Sequence, residues 1–150
     1  SYDSEELERN IEDIIYTCCN IKKSVVEIDE RDRGIRMILN FGHSIGHAIE
    51  GYYEYGRFTH GEAVAIGMYN ITKNSEKLGL TKSGTSKLIK EILVKYNLPY
   101  ELPHIPNEEL ISRITLDKKN KGRDINLIII EEIGRSFINK TNIELIKNYI

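Results

Sequence analysis

Residues 39 to 69 read LNFGHSIGHAIEGYYEYGRFTHGEAVAIGMY and hold three of the chain's four histidines, His43, His47 and His60. His43 and His47 are four apart, a spacing that stacks two side chains on one helical face, one turn apart. The apolar residues around them, Ile35, Met37, Ile38, Leu39, Phe41, Ile45, Ala48 and Ile49, predict a helix over residues 35 to 50 that is buried on more than one side. Gly42 and Gly46 interrupt it, each costing about 1 kcal/mol relative to alanine. Close packing against another helix accounts for them, and so does room for a ligand beside the histidines. Thr59 and Glu62 form a T-x-x-E capping box. A second helix therefore starts near His60 and runs to about Leu78, with Gly79 as its stop. Ala63, Ala65 and Gly67 on it point to tight helix packing. Between the two helices, Tyr52, Tyr53 and Tyr55 are suited to packing over their neighbours.

Upstream, Leu7, Ile11, Ile14, Ile15, Cys18, Ile21 and Val25 recur at spacings of three and four and predict one long helix over residues 4 to 27. The charged run IDERDRGIR follows, with a bend at Gly34. Downstream, Leu88, Ile89, Ile92, Leu93 and Tyr96 make the apolar face of a helix over residues 85 to 97. Pro99, Pro103 and Pro106 punctuate the next loop. Asn107 is placed to cap a short helix carrying Leu110, Ile111 and Ile114. Residues 125 to 130 (INLIII) read as a strand, Gly134 as a turn, and 135 to 139 as a returning hairpin partner. Thr141 and Glu144 repeat the capping-box pattern before a last short helix. The expected fold is mainly α, a compact multi-helix domain with one small β-hairpin near the C-terminus.

The 150 residues suffice for one domain with a real core. A net charge of −2 gives no electrostatic reason to expect nucleic acid or an anionic membrane as partner. No apolar run approaches the ~20 residues of a membrane span, and no signal peptide is visible; two free thiols fit a reducing cytosol, and a cytoplasmic location is expected. The chain begins SYDSEELE, without Met, as a fragment or a processed chain does. Cys18 and Cys19 are neighbours that diverge on a helix and are ill placed to bond each other; one is expected in a core and the other to be incidental.

Two ring nitrogens from one helix turn plus one from a neighbouring element is a common way to hold a zinc-like ion. A carboxylate commonly completes a two-histidine set; Glu50 and Glu62 are the local candidates, Glu62 being already suited to capping. Spacing alone leaves open which histidines ligate and which move protons. Arg36, Asn40, His43 and His47 follow at steps of four, three and four, one continuous stripe if residues 35 to 50 are helical. Such a stripe suits a small anionic substrate beside a metal, with Lys22 as a further cation.

The runs DERDRGIRMILNFGHSIGHAIE and HGEAVAIGM, then DKKNKG before an apolar strand and IG, resemble the C-terminal domain of 3-dehydroquinate synthase. That family converts 3-deoxy-D-arabino-heptulosonate 7-phosphate to 3-dehydroquinate and phosphate, a shikimate-pathway step, using NAD and a divalent metal, zinc in most cases and cobalt as an alternative. The resemblance implies that His43 and His60 are metal ligands and that His47 faces the substrate, in the phosphate and proton-transfer region. It implies that Lys22, Asp32, Arg36 and Asn40 hold substrate, with one of Lys118 and Lys119; Asp32 stands where the family often has a glutamate. The family's nucleotide-binding N-terminal domain and its third ligand, a glutamate upstream of the matched region, have no counterpart here. The chain is therefore expected to be an isolated C-terminal domain, inactive by itself, that works with its N-terminal domain in a homodimer. Two rivals remain: a related sugar-phosphate cyclase or metal-dependent polyol dehydrogenase, and a non-catalytic helical interaction module.

Overall fold

Asp3 accepts a hydrogen bond from the backbone N–H of Glu6, and the Glu6 carboxylate accepts one from the backbone N–H of Asp3. This reciprocal cap opens helix α1 (Ser4–Ile28) where the apolar periodicity predicts it. The structure, a computed structural model, describes residues 3–31, 34–116 and 124–150. It divides into two units, Ser1–Leu39 and Asn40–Ile150. In the first unit, much of the apolar stripe of α1 stays in solvent: Ile11, Ile15 and Ile21 are exposed, as is Ile28, while Leu7, Ile14 and Val25 are half-buried. Cys18 and Cys19 are both exposed too, which corrects the expectation that one enters a core. Among the described residues of this unit, α1 is the one long helix.

The predicted helix over residues 35 to 50 is two elements. Residues Ile35–Asn40 form a 3-10 helix, and α2 (His43–Tyr52) begins afresh after Gly42. Gly42 has φ 79°, in the left-handed region where a Cβ is penalised, so an α-helix cannot run through it. A 3-10 helix also turns every three residues rather than every 3.6. Arg36, Asn40, His43 and His47 are therefore not the single helical stripe expected from their spacing.

The second unit is built on α2, α3 (His60–Lys77), α4 (Thr85–Lys95), α5 (Asn107–Thr115) and the antiparallel hairpin β1 (Asp124–Glu132) and β2 (Arg135–Asn142), closed by a 3-10 helix Ile143–Asn148. α2 packs on α3 and α5, and α3 packs on α4 and β1. One core joins Ile45 and Ile49 of α2, Ile66 of α3, Leu110 of α5, Ile125 and Ile129 of β1, and Ile146. Gly134, with φ 87°, makes the hairpin turn, and β2 pairs as far as Asn142, beyond the predicted 139. Tyr52 and Tyr53 pack on the core as expected, whereas Tyr55 is exposed. On α4 only part of the predicted face is covered: Leu93 is buried, while Leu88 and Ile92 are exposed. Two predicted caps move by one residue. Pro106, not Asn107, precedes α5, and Asn142, not Thr141, caps the last helix by accepting from the Glu144 N–H, because Thr141 is held in β2 opposite Ile125.

α2 and α3 cross at backbone distance. A Cβ built on Gly67 would run into the Gly42 carbonyl oxygen, and one on Gly46 would lie 3.1 Å from the Val64 backbone nitrogen and Cα. The two α2 glycines thus serve close packing. Gly67→Ala is expected to destabilise the protein by about 1–3 kcal/mol or more, as overpacking against unyielding backbone does, measured as a lower midpoint in urea. At the start of α3, the Thr59 hydroxyl accepts from the Glu62 N–H, and Glu62 Oε2 accepts from the Thr59 N–H at 2.8 Å and from its hydroxyl. These bonds hold the Glu62 carboxyl below its ordinary 4.5, the backbone N–H of Thr59 contributing most. Stability from this pair is complete above that ordinary value and is lost as pH falls through the lowered one. Thr59→Ala is expected to cost about 1 kcal/mol near neutrality, and less in acid, read from denaturant midpoints across pH.

Candidate active site

Three features of the backbone bring the histidines of residues 43 to 60 together. Gly42 turns the chain so that His43 is the first residue of α2. Thr59 caps α3 so that His60 is its first residue. The glycine-lined crossing then sets these two helix starts side by side. The ring centroids of His43 and His60 are 5.1 Å apart, those of His43 and His47 5.4 Å, and those of His47 and His60 5.5 Å.

Each ring is tethered by the same nitrogen. His43 Nδ1 lies 3.1 Å from the Phe41 carbonyl oxygen, which can only accept, so Nδ1 carries the proton. His47 Nδ1 lies 2.9 Å from Glu50 Oε2, and His60 Nδ1 lies 3.1 Å from Glu50 Oε1. With Nδ1 donating, the Nε2 lone pair of a neutral ring remains available. Among the described residues, no hydrogen bond reaches any of the three Nε2 atoms. Burial lowers the His43 pKa below its usual value; the Phe41 carbonyl works the other way, and the neighbouring His47 and His60 add to the lowering. A neutral imidazole oriented through Nδ1 with a free Nε2 is the form that ligates a divalent transition metal, and an Nδ1 partner of carbonyl or carboxylate type is the usual support for such a ligand. The residues present therefore fit a zinc-like ion.

Glu50 sits on α2 one turn past His47, and its side chain is only 7% exposed, against 62% for His47 and 55% for His60. His47, Glu50 and His60 offer donor atoms within 4.8 Å of one another. Glu62, the other local carboxylate, is committed to the cap of α3. The role of the Phe41 carbonyl had no signal in the sequence, since a main-chain oxygen is anonymous there.

The remaining sequence candidates fall as follows. Asn40 is exposed at the end of the 3-10 helix. In the first unit Lys22 is exposed on α1, and Arg36 donates from its guanidinium to the Glu30 carbonyl at 2.8 Å and from its backbone N–H to Asp29 Oδ2 at 3.2 Å. Asp32, Lys118 and Lys119 lie outside the described residues.

Comparison with known proteins gives this arrangement a context. The model of the family described as 3-dehydroquinate synthase C-terminal matches residues 3–120. The 3-dehydroquinate synthase of Clostridium acetobutylicum is 55% identical over 138 residues, covering 92% of this chain and 39% of that protein. Its counterpart in Clostridium beijerinckii is 56% identical over 140 residues, covering 93% of this chain and 40% of the relative. The chain thus spans about two fifths of the length of these relatives. Among solved structures, 2-deoxy-scyllo-inosose synthase in complex with carbaglucose-6-phosphate, NAD+ and Co2+ superposes with a TM-score of 0.78 at 25% identity, over 94% of this chain and 40% of that one. The 2-epi-5-epi-valiolone synthase of Streptomyces hygroscopicus, with NAD+ and Zn2+ bound, shares the fold at a TM-score of 0.67 and 18% identity, over 77% of this chain and 32% of that one.

Proposed function

The chain belongs to the 3-dehydroquinate synthase family, by its C-terminal domain, and from that premise we propose that it forms the metal- and substrate-binding part of a lyase converting 3-deoxy-D-arabino-heptulosonate 7-phosphate to 3-dehydroquinate and phosphate. The observation that carries this reading is the trio of rings, each held through Nδ1 by a carbonyl or carboxylate oxygen. His43 and His60 would hold the divalent ion, zinc or cobalt, with a third ligand from the rest of the enzyme. When bound, such an ion polarises a substrate hydroxyl and lowers its pKa. NAD, held mainly by the N-terminal part of the enzyme, would take a hydride and return it: the conversion removes the elements of phosphoric acid with no net oxidation, so any hydride withdrawn must be given back.

His47 presents an Nε2 without a hydrogen-bond partner among the described residues and is the more exposed ring of the α2 pair, as a substrate-side proton carrier needs. Lys22, Arg36 and Asn40, with Asp32 and one of Lys118 and Lys119, would bind the phosphate, carboxylate and hydroxyls of the substrate. Cations around a departing phosphate stabilise the charge that develops on it. No helix among the described residues is long and apolar enough to cross a membrane; the complete enzyme is proposed to be cytoplasmic and to act as a homodimer. A related cyclase of the kind solved with carbaglucose-6-phosphate is the second reading, supported by the likeness of fold; the identity of about one half to the synthases favours the first.

Phosphate release from the heptulosonate phosphate, in the presence of NAD and zinc, tests the assignment on the complete synthase. Turnover is expected there and none from the chain by itself. Hydride transfer to a plain polyol without phosphate release would overturn the choice of substrate. Within the same enzyme, His43→Ala with His60→Ala is expected to abolish metal content by elemental analysis. His47→Ala is expected to keep the metal and lose turnover by about 10²–10⁴-fold, the usual scale of a lost acid–base group. Loss of metal on removing His47 would place that residue among the ligands.

A further inference from the structure

Glu50 is a buried carboxylate that touches two rings assigned to different tasks. Its Oε2 is 2.9 Å from His47 Nδ1, and its Oε1 and Oε2 are 3.1 and 3.3 Å from His60 Nδ1. Among the described residues these two rings are its only side-chain hydrogen-bond partners. A carboxylate is costly to bury unless its oxygens are bonded, and here two N–H groups provide the bonds. An ionised carboxylate only accepts, so it holds the Nδ1 proton of both rings, and the neutral form of each then has its lone pair on Nε2.

We infer that Glu50 is a positioning residue that fixes the tautomer and orientation of the metal-side His60 and the substrate-side His47 together, so that one buried anion sets both halves of the site. This rests on the roles proposed above for the two histidines. The alternative, in which Glu50 itself ligates beside His47 and His60, is open to the same donor atoms. It would bring the ion to the Nδ1 side and displace both hydrogen bonds. Without these bonds each ring is free to rotate and to exchange tautomers, which weakens it as a ligand and as a proton carrier. Removing Glu50 should therefore weaken metal binding and turnover in one step, although its side chain lies on the opposite side of each ring from Nε2.

The test uses the complete synthase, wild type, Glu50→Gln and Glu50→Ala, with folding checked by thermal melting. Histidine side-chain nitrogen NMR on metal-free protein is expected to show the Nδ1–H tautomer for His47 and His60 in wild type and a mixture in Glu50→Ala. With zinc added, the ion is expected on Nε2 of His60, with Nδ1–H retained. Cobalt affinity is expected to fall about 10-fold in Glu50→Gln, whose amide keeps one acceptor oxygen, and about 100-fold in Glu50→Ala, the range found for lost outer partners of metal ligands. The visible spectrum of the cobalt form should shift, and kcat should fall more than KM rises. Should Glu50→Ala unfold, Glu50→Gln carries the same readouts. Unchanged tautomers and cobalt affinity in a folded variant would overturn the inference, as would zinc on Nδ1. If wild type binds no more cobalt than the His43→Ala, His60→Ala variant, the ligand assignment falls by itself. The metal-free tautomers still decide the role of Glu50.

Discussion

The Gly42 carbonyl stands where a side chain on residue 67 would have to be. That one exclusion governs how near α2 and α3 can lie. Helices usually pack with their axes 8–10 Å apart because side chains keep them there; bare backbone at Gly42, Gly46 and Gly67 removes that spacer. The residue after Gly42 is His43, and His60 is six residues before Ile66 and seven before Gly67 on α3. The contact between two main chains is thus also what sets the separation of two rings. Packing and chemistry share a single geometric origin, and neither can be adjusted without the other.

Around that crossing, order passes from backbone to side chain in short steps. Gly42 starts α2 and Thr59 starts α3. The Phe41 carbonyl orients His43, and Glu50, held under the surface by α2, orients His47 and His60. Every group in this sequence comes from residues 41 to 67, which is why so short a stretch supports a functional argument. The groups expected to bind the substrate's anionic ends are spread more widely along the chain, on α1, on the 3-10 helix and in the segment before β1.

The legible parts were those in which a local pattern has a local cause. The Thr59–Glu62 box and Gly79 bracket α3 as expected, and the β-branched run INLIII is β1. The less legible parts were those in which neighbours decide. Apolar spacing from Ile35 to Ile49 is continuous, yet the left-handed Gly42 cuts it, because close approach to α3 outweighs helix continuity. Thr141 and Glu144 match a capping box, but pairing with Ile125 keeps Thr141 in the strand and passes the cap to Asn142. The periodicity of α1 and α4 located the helices correctly and overstated their burial, since a pattern of apolar residues names a face without naming what covers it. At the site, the clustering of the three histidines was readable from their spacing, whereas the sharing of Glu50 between two of them depends on rotamers and on a crossing that no spacing rule encodes.

The starts of α2 and α3 have an electrostatic meaning as well as a steric one. A helix behaves as though it carries about half a positive charge at its N-terminus. Here two such ends converge, at His43 and His60, whose rings are 5.1 Å apart, and no side chain caps the first of them. Taken alone, these two ends favour negative charge, and the chain itself supplies it: Glu62 caps the start of α3 and Glu50 lies against His47 and His60. Helix starts of this kind by themselves favour anions and oppose a divalent cation. Glu62 is spent on the exposed cap of α3, whereas Glu50 is buried against the rings, where screening is weakest. The same carboxylate that bonds the His47 and His60 rings thus opposes, at short range, the bias of the two helix ends against a divalent ion.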